Sequence, residues 1–205
     1  MARGLAVHSL EPQNFPGPAD MLRGKPPGAY TALKVDNWRH LVDWTLHSRR
    51  LAKSVQVLHE EAGGMYKALL SQVETQGTTL NRCINHALLP SLVLALQTCQ
   101  EANEQKTSYC MLVPLLCDPI GTSTQTGSPL DVFVLAEPLS VEASHPVEVS
   151  VLGRPRTIPL AKFSQWATDR QCIEAKKAKS DGEALLCTQD GNLLEGLLTN
   201  FFVVQ

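Results

Sequence analysis

His47, Arg50 and Ser54 follow one another at intervals of three and four residues, which puts an imidazole, a guanidinium and a hydroxyl on one face of a helix. The planar fork of an arginine held there can give two hydrogen bonds to a single anion, so the set suits a phosphate. An ordinary solvated helix face with a surface arginine produces the same pattern. Lys162 stands between Pro159-Leu160-Ala161 and Phe163. Loss of solvation in such a setting lowers the pKa of an amine and frees its neutral, nucleophilic form, the condition for condensation with a carbonyl. A lysine lying along a strand end with its head in water is the plainer alternative. Glu195 is the only charged residue from Leu193 to Gln205. A carboxylate among apolar neighbours needs a cation or strong donors. Either its strand face points to water, or its partner is a cation from outside the chain, such as a protonated pyridine nitrogen.

An amine for an aldehyde, a guanidinium for a phosphate and a carboxylate for a pyridinium are together the groups that pyridoxal phosphate requires. A competing signal is the basic stretch of Arg154, Arg156, Lys162, Arg170, Lys176, Lys177 and Lys179, against only Asp169 and Glu174. Such a run is either a patch for nucleic acid or phosphate, or the wet side of an amphipathic helix. With Phe163 and Trp166 its only interleaved aromatics and a net charge of -2 for the chain, nucleic acid is the weakest of these readings.

The elements that must position these groups change character along the chain. Residues 1–27 are rich in Pro and Gly and read as an irregular arm. From 28 to 35, "GAYTALKV" is a β-prone run. Leu51, Val55 and Leu58 then recur at helical spacing within "TLHSRRLAKSVQVLHEE", and Gly63-Gly64 ends that helix. A short helix around "MYKALLSQV" and a longer, mostly buried one over "LNRCINHALLPSLVLALQTCQEAN", interrupted or kinked at Pro90, complete this half. The period then shortens: "SYCMLVPLLC", "DVFVLAEPL" and "VEVSVLG" predict strands, with "GTSTQTGSP" as a polar loop. Phe163, Trp166 and Ile173 predict one helix from Phe163 to Lys179. The end reads as a hairpin turning at Asp190-Gly191.

These elements amount to an α+β chain with a boundary near residues 118–130. At 205 residues and 43% hydrophobic content it is long enough for one large domain or two small ones. Cys83, Cys99, Cys110, Cys117, Cys172 and Cys187 form no CxxC pair and lie mostly in apolar runs, which predicts reduced, buried thiols in an intracellular protein. The opening residues lack the apolar core of a signal peptide, and no run of about 18 apolar residues spans a membrane.

"GAYTALKV", "HSRRLAKS", "AKFSQW" and "DGNLLEGLLTNFFVV" together resemble the class IV aminotransferases, the fold type IV pyridoxal-phosphate enzymes. The match is nearest the divergent plant branch described as D-amino-acid-aminotransferase-like. The family's closing pattern maps onto Asp190, Gly191, Glu195, Gly196, Thr199, Asn200 and an apolar strand from Phe201 to Val204. Its His-x-x-Arg-Leu-x-x-Ser helix maps onto His47, Arg50, Leu51 and Ser54. The resemblance implies a two-domain D-amino-acid-aminotransferase-like fold: residues 28–120 a small α/β domain and 121–205 a partial, incomplete cofactor domain, because family members continue beyond the equivalent of Gln205.

It implies pyridoxal 5'-phosphate as cofactor. Lys162, 33 residues before Glu195, would bond to its aldehyde. Glu195 would hold its ring nitrogen, and Arg50 with Thr199 and Asn200 would fix its phosphate end and the residues behind the ring. Tyr30 would border the substrate. "CMLVPLLCD" lacks the arginine that some members use to hold a substrate carboxylate. The implied activity is amino transfer from an amino acid to a 2-oxo acid by a homodimer without nucleic-acid or membrane partners, in the cytoplasm or a plastid. An aminodeoxychorismate-lyase-like elimination and a truncated, non-catalytic relative or partner subunit are the alternatives.

Overall fold

The computed structural model describes residues 17–103, 107–119, 128–139, 146–178 and 181–203. They fall into two compact units: Met1–Val141 with Leu160–Gln165, and Glu142–Pro159 with Trp166–Gln205.

The first unit opens with helix α1 (Pro18–Gly24). It lies inside the segment read as an irregular arm: Pro18 pre-sets the first helical φ, and Met21 and Leu22 are buried. The rest of that arm, residues 1–16, lies outside the described residues. Strands β1 (Gly28–Tyr30), β2 (Leu33–Asp36) and β3 (His40–Leu41) follow. Next come helices α2 (Trp44–Glu61), α3 (Lys67–Gln76) and α4 (Leu80–Glu101), and strands β4 (Tyr109–Cys117) and β5 (Asp131–Pro138). Leu51, Val55 and Leu58 of α2 are fully buried, as their spacing predicts. α4 runs through Pro90 without interruption. It is less buried than expected: Leu80, Ile84, Leu88 and Leu92 form its inner stripe, while Leu89, Val93 and Leu94 are exposed. Most of the polar loop expected at 121–129 lies outside the described residues.

β4 is the axis of the sheet, buried without a break from Leu112 to Cys117. β5 pairs along one edge of it, and so sits in the first unit, beyond the boundary that composition suggests. β1 and β2 share the other edge. Their registers, Tyr30 opposite Leu115 and Leu33 opposite Leu112, belong to a single line of pairing. Thr31 donates its N–H to the Pro114 carbonyl at 3.2 Å, and Pro114 has no N–H to return. One missing donor thus divides the expected single run into two strands.

Tyr66 locks β1 to β4. Its buried hydroxyl accepts the Ala29 N–H at 2.6 Å and donates to the Leu116 carbonyl at 2.7 Å, and burial pushes its pKa up, so it stays protonated. Next to it, a Cβ on Gly28 would overlap the Leu116 carbonyl oxygen, so only glycine allows this approach. Tyr66→Phe strands a buried N–H and a carbonyl together, and is expected to cost about 2 kcal/mol in urea unfolding.

The second unit contains strand β6 (Glu148–Val151), short helices α5 (Trp166–Asp169) and α6 (Gln171–Glu174), and strands β7 (Asp181–Cys187) and β8 (Leu193–Gly196). β7 is central, parallel to β6 and antiparallel to β8. Trp166, Ile173, Ala184, Leu186 and Leu197 form its core. The β7–β8 hairpin turns as predicted, with Gly191 at a φ of 81° that favours glycine. Phe163 does not open the expected helix, whose expected end at Lys179 lies outside the described residues. The main chain around it pairs with β1 instead, and α5 and α6 replace the single helix. The strand expected from Phe201 is also not formed among the described residues 201–203, where Phe202 and Val203 are exposed; Val204 lies outside them.

All six cysteines are free. Cys99, Cys110 and Cys117 are buried, and burial pushes the thiols of Cys110 and Cys117 up to about 12. Cys172 departs from the expectation and is exposed. Among the described residues, no helix is long and apolar enough to cross a membrane, and no His, Cys, Asp and Glu group could hold a metal ion.

Candidate functional site

In the first unit the candidate residues are held by main-chain bonds. Residues 162–164 run antiparallel to β1: the Lys162 carbonyl accepts the Tyr30 N–H at 3.0 Å, and Ser164 donates its N–H to the Gly28 carbonyl at 2.9 Å. The Ser164 hydroxyl in turn accepts the Gly28 N–H at 2.8 Å. The Lys162 N–H points the other way and donates to Oγ of Ser54 on α2 at 3.0 Å. Both polar groups of the Lys162 main chain are thereby fixed, and its side chain is half-buried.

The α2 face reaches β1 a second time, where Nδ1 of His47 lies 2.7 Å from Oγ1 of the buried Thr31. Partial burial pushes the His47 pKa down, and the positive charges of Arg50 and Lys162 push it further, against an opposing pull from Asp43. His47 is therefore neutral at physiological pH, in a positive local field. That field, an exposed arginine and a half-buried lysine suit a phosphorylated aldehyde in the chemistry of their donors. This unit brings together Tyr30, Arg50 and Lys162. Thr31, Tyr66 and Ser164 also build it; the sequence signals Thr31 and Ser164 only by their closeness to Tyr30 and Lys162, and Tyr66 not at all.

The second unit holds Glu195, Thr199 and Asn200. Glu195 meets a cation from within the chain. Arg156 donates from Nε to Oε1 at 2.7 Å and from Nη2 to Oε2, a two-pronged pair with the Arg156 and Glu195 side chains 13% and 30% exposed. The guanidinium also lies over the Trp166 ring, 5.8 Å from its centre. The sequence reading offered Glu195 only water or an external cation; Arg156, 39 residues away, is the partner it missed. Each carboxylate oxygen has two acceptor positions, so the pair leaves room for a further donor and the residues fit a ring nitrogen.

Thr199 is engaged by a carboxylate that the sequence reading also missed. The buried Glu183 accepts the Thr199 N–H at 2.7 Å and the Thr199 hydroxyl at 2.6 Å on Oε2, and the Ala184 N–H at 2.8 Å on Oε1. The Leu198 N–H reaches it as well, at 3.2 Å. Glu183 thus shapes the stretch that leads to the exposed Asn200. Its one sequence signal is a charge within the β-prone run "EALLC".

Burial alone would raise the Glu183 pKa; the bonds from Thr199, Ala184 and Leu198 outweigh it, and the pKa is lowered. A carboxylate depressed by folding stabilises the protein above its unfolded pKa, and that contribution is lost as pH falls through the folded value. Glu183→Gln is expected to lose about 2 kcal/mol at neutral pH, with the gap to wild type closing in acid, as read by urea unfolding at several pH values. In the basic stretch the buried Arg170 pairs with Glu174 at 2.8 Å, while Lys177 donates to the Gly182 carbonyl at the surface, at 3.3 Å.

No protein-family profile matches this chain, and no curated protein matches it with significance. Solved structures do match. A fold IV-transaminase from Curtobacterium pusillum superposes with a TM-score of 0.56 at 16% identity, covering 90% of this chain and 60% of that one. A protein with the provisional name 4-amino-4-deoxychorismate lyase gives 0.51 at 17% identity, covering 91% and 63%. A hypothetical aminotransferase from Mycobacterium tuberculosis, with alpha-ketoglutarate and PMP bound, gives 0.51 at 16% identity, covering 83% and 55%. The chain spans from 55% to 63% of the lengths of these three proteins. The α+β architecture of this chain is therefore that of the fold type IV transaminases and lyases, over part of their extent.

Proposed function

We propose that this chain is a pyridoxal-phosphate-dependent protein of the aminotransferase type, acting between an amino acid and a 2-oxo acid. The observation that carries this reading is Lys162: a half-buried lysine whose main chain is tied to β1 and to Ser54, on the same helix as Arg50. The solved structures named above support it through their fold and through what their names say they do.

In this reading Arg50 binds the phosphate with its fork, and Lys162 Nζ is the group that meets the aldehyde. Bound pyridoxal phosphate supplies an electron sink for the pair left on the substrate α-carbon. Lys162 Nζ takes the proton from that carbon and returns it, as general base and then acid. Glu195, oriented by Arg156, holds a proton on the ring nitrogen. Thr199 and Asn200 line the cofactor on the stretch that Glu183 shapes, and Tyr30 borders the substrate. A lyase-type elimination uses the same residues when a leaving group departs from the substrate.

The non-catalytic alternative has one observation in its favour, since Arg156 already neutralises Glu195. The deciding experiment incubates the chain with pyridoxal phosphate, removes the excess, records the absorbance spectrum, reduces with borohydride and maps the labelled peptide. A visible band with label on Lys162 supports the proposal. Absence of bound cofactor, or label scattered over Lys176, Lys177 and Lys179, favours the non-catalytic relative.

A further inference from the structure

Ser54 is only 1% exposed. A buried hydroxyl persists where it is bonded, and this one accepts the Lys162 N–H at 3.0 Å. It stands one helical turn after Arg50, so the two residues share a face of α2. At the other end of that face His47 meets Thr31, the residue after Tyr30, whose own N–H holds the Lys162 carbonyl. α2 is thus pinned at two points, seven residues or about 10 Å apart along its axis, with Arg50 between them. A helix pinned twice on one face cannot slide or turn about its axis without breaking one of these part-buried bonds.

We propose that Ser54 is a positioning residue which, with the His47–Thr31 contact as the second pin, fixes the spacing between Arg50 and Lys162, so that a phosphate held at Arg50 delivers its aldehyde to the lysine. The inference rests on the cofactor reading and adds to it the group that sets the distance. Lys162 Nζ condenses with the aldehyde carbon; a C=N bond forms and the aldehyde oxygen leaves as water. Hydride from borohydride then adds to that carbon and makes the link permanent.

The test compares the rate at which Lys162 is labelled by pyridoxal phosphate and by pyridoxal, the same aldehyde without the phosphate. In wild type the phosphate is expected to accelerate labelling. In Ser54→Ala that preference is expected to fall by on the order of 10-fold, because a displacement near 1 Å is enough to lose such an advantage. Ser54→Thr keeps the hydroxyl and is expected to restore it. A loss of fold would also erase the preference, so circular dichroism and urea unfolding first establish that each variant compared is folded. Should the alanine variant not fold, Ser54→Thr and Ser54→Val, alike in shape and different in the hydroxyl, carry the same comparison. A folded Ser54→Ala with an undiminished ratio overturns the proposal and leaves the cofactor reading standing. Wild type with no phosphate preference, or with label elsewhere than Lys162, overturns both.

Discussion

On the proposed function, Lys162→Ala is expected to give a folded protein that retains no cofactor label after borohydride and loses turnover by a factor of about 10² to 10⁴. The expectation that it folds comes from the main chain. Two of the groups that join residue 162 to the first unit are its N–H, to Ser54, and its carbonyl, from Tyr30, and alanine keeps both. Urea unfolding checks that the variant is folded, with a loss expected within the range of about 0.5–3 kcal/mol common to single substitutions. What disappears is the amine, and with it both the covalent link and the proton carrier. A variant that folds and still labels at one site would move the chemistry to another lysine and end the present assignment.

Glu195→Gln is expected to lower turnover by about 10²- to 10³-fold, the scale found when one preorganised electrostatic contact to developing charge is removed. Glutamine keeps the shape, and its amide oxygen still accepts one bond from Arg156. The charge that would hold a proton on a ring nitrogen is gone. The fold is expected to lose about 1.5–3 kcal/mol, since the largely buried guanidinium keeps one acceptor and meets an amide N–H in place of the other, so turnover is compared on variant protein shown to be folded. Binding and rate separate the two roles open to this carboxylate. If Glu195→Gln binds pyridoxal phosphate as tightly as wild type and turns over at the wild-type rate, Glu195 serves Arg156 alone and is a structural residue of β8.

Legibility of the fold followed the range of the forces involved. α2 was readable because Leu51, Val55 and Leu58 repeat locally, and the β7–β8 turn because Asp190-Gly191 permits a left-handed residue. The helix expected from Phe163 failed because the groups that override it, Gly28 and Tyr30, lie more than 130 residues earlier. α4 is less buried than its composition suggests, since hydrophobicity at Leu89, Val93 and Leu94 does not reveal which face is covered. For the site, residue types pointed to Arg50, Lys162 and Glu195. The residues that build the two units around them, Ser54 aside, are Thr31, Tyr66, Ser164, Arg156 and Glu183, common residues whose roles arise only through pairing at long separation. The resemblance placed Ser54 within a pattern, and its bond to Lys162 gives that position a physical reason.

The first unit is written in two places along the chain, residues up to Val141 and the six from Leu160 to Gln165, with β6 between them. On a ribosome, synthesis therefore reaches the last strand of this sheet before it reaches the strip that completes the edge of β1. Until that strip emerges, the N–H groups of Gly28 and Tyr30 and the hydroxyl of Ser54 lack the partners they have in the finished protein. The order of synthesis makes Lys162 part of the closing step, so closure of the first unit and arrival of its lysine become one event.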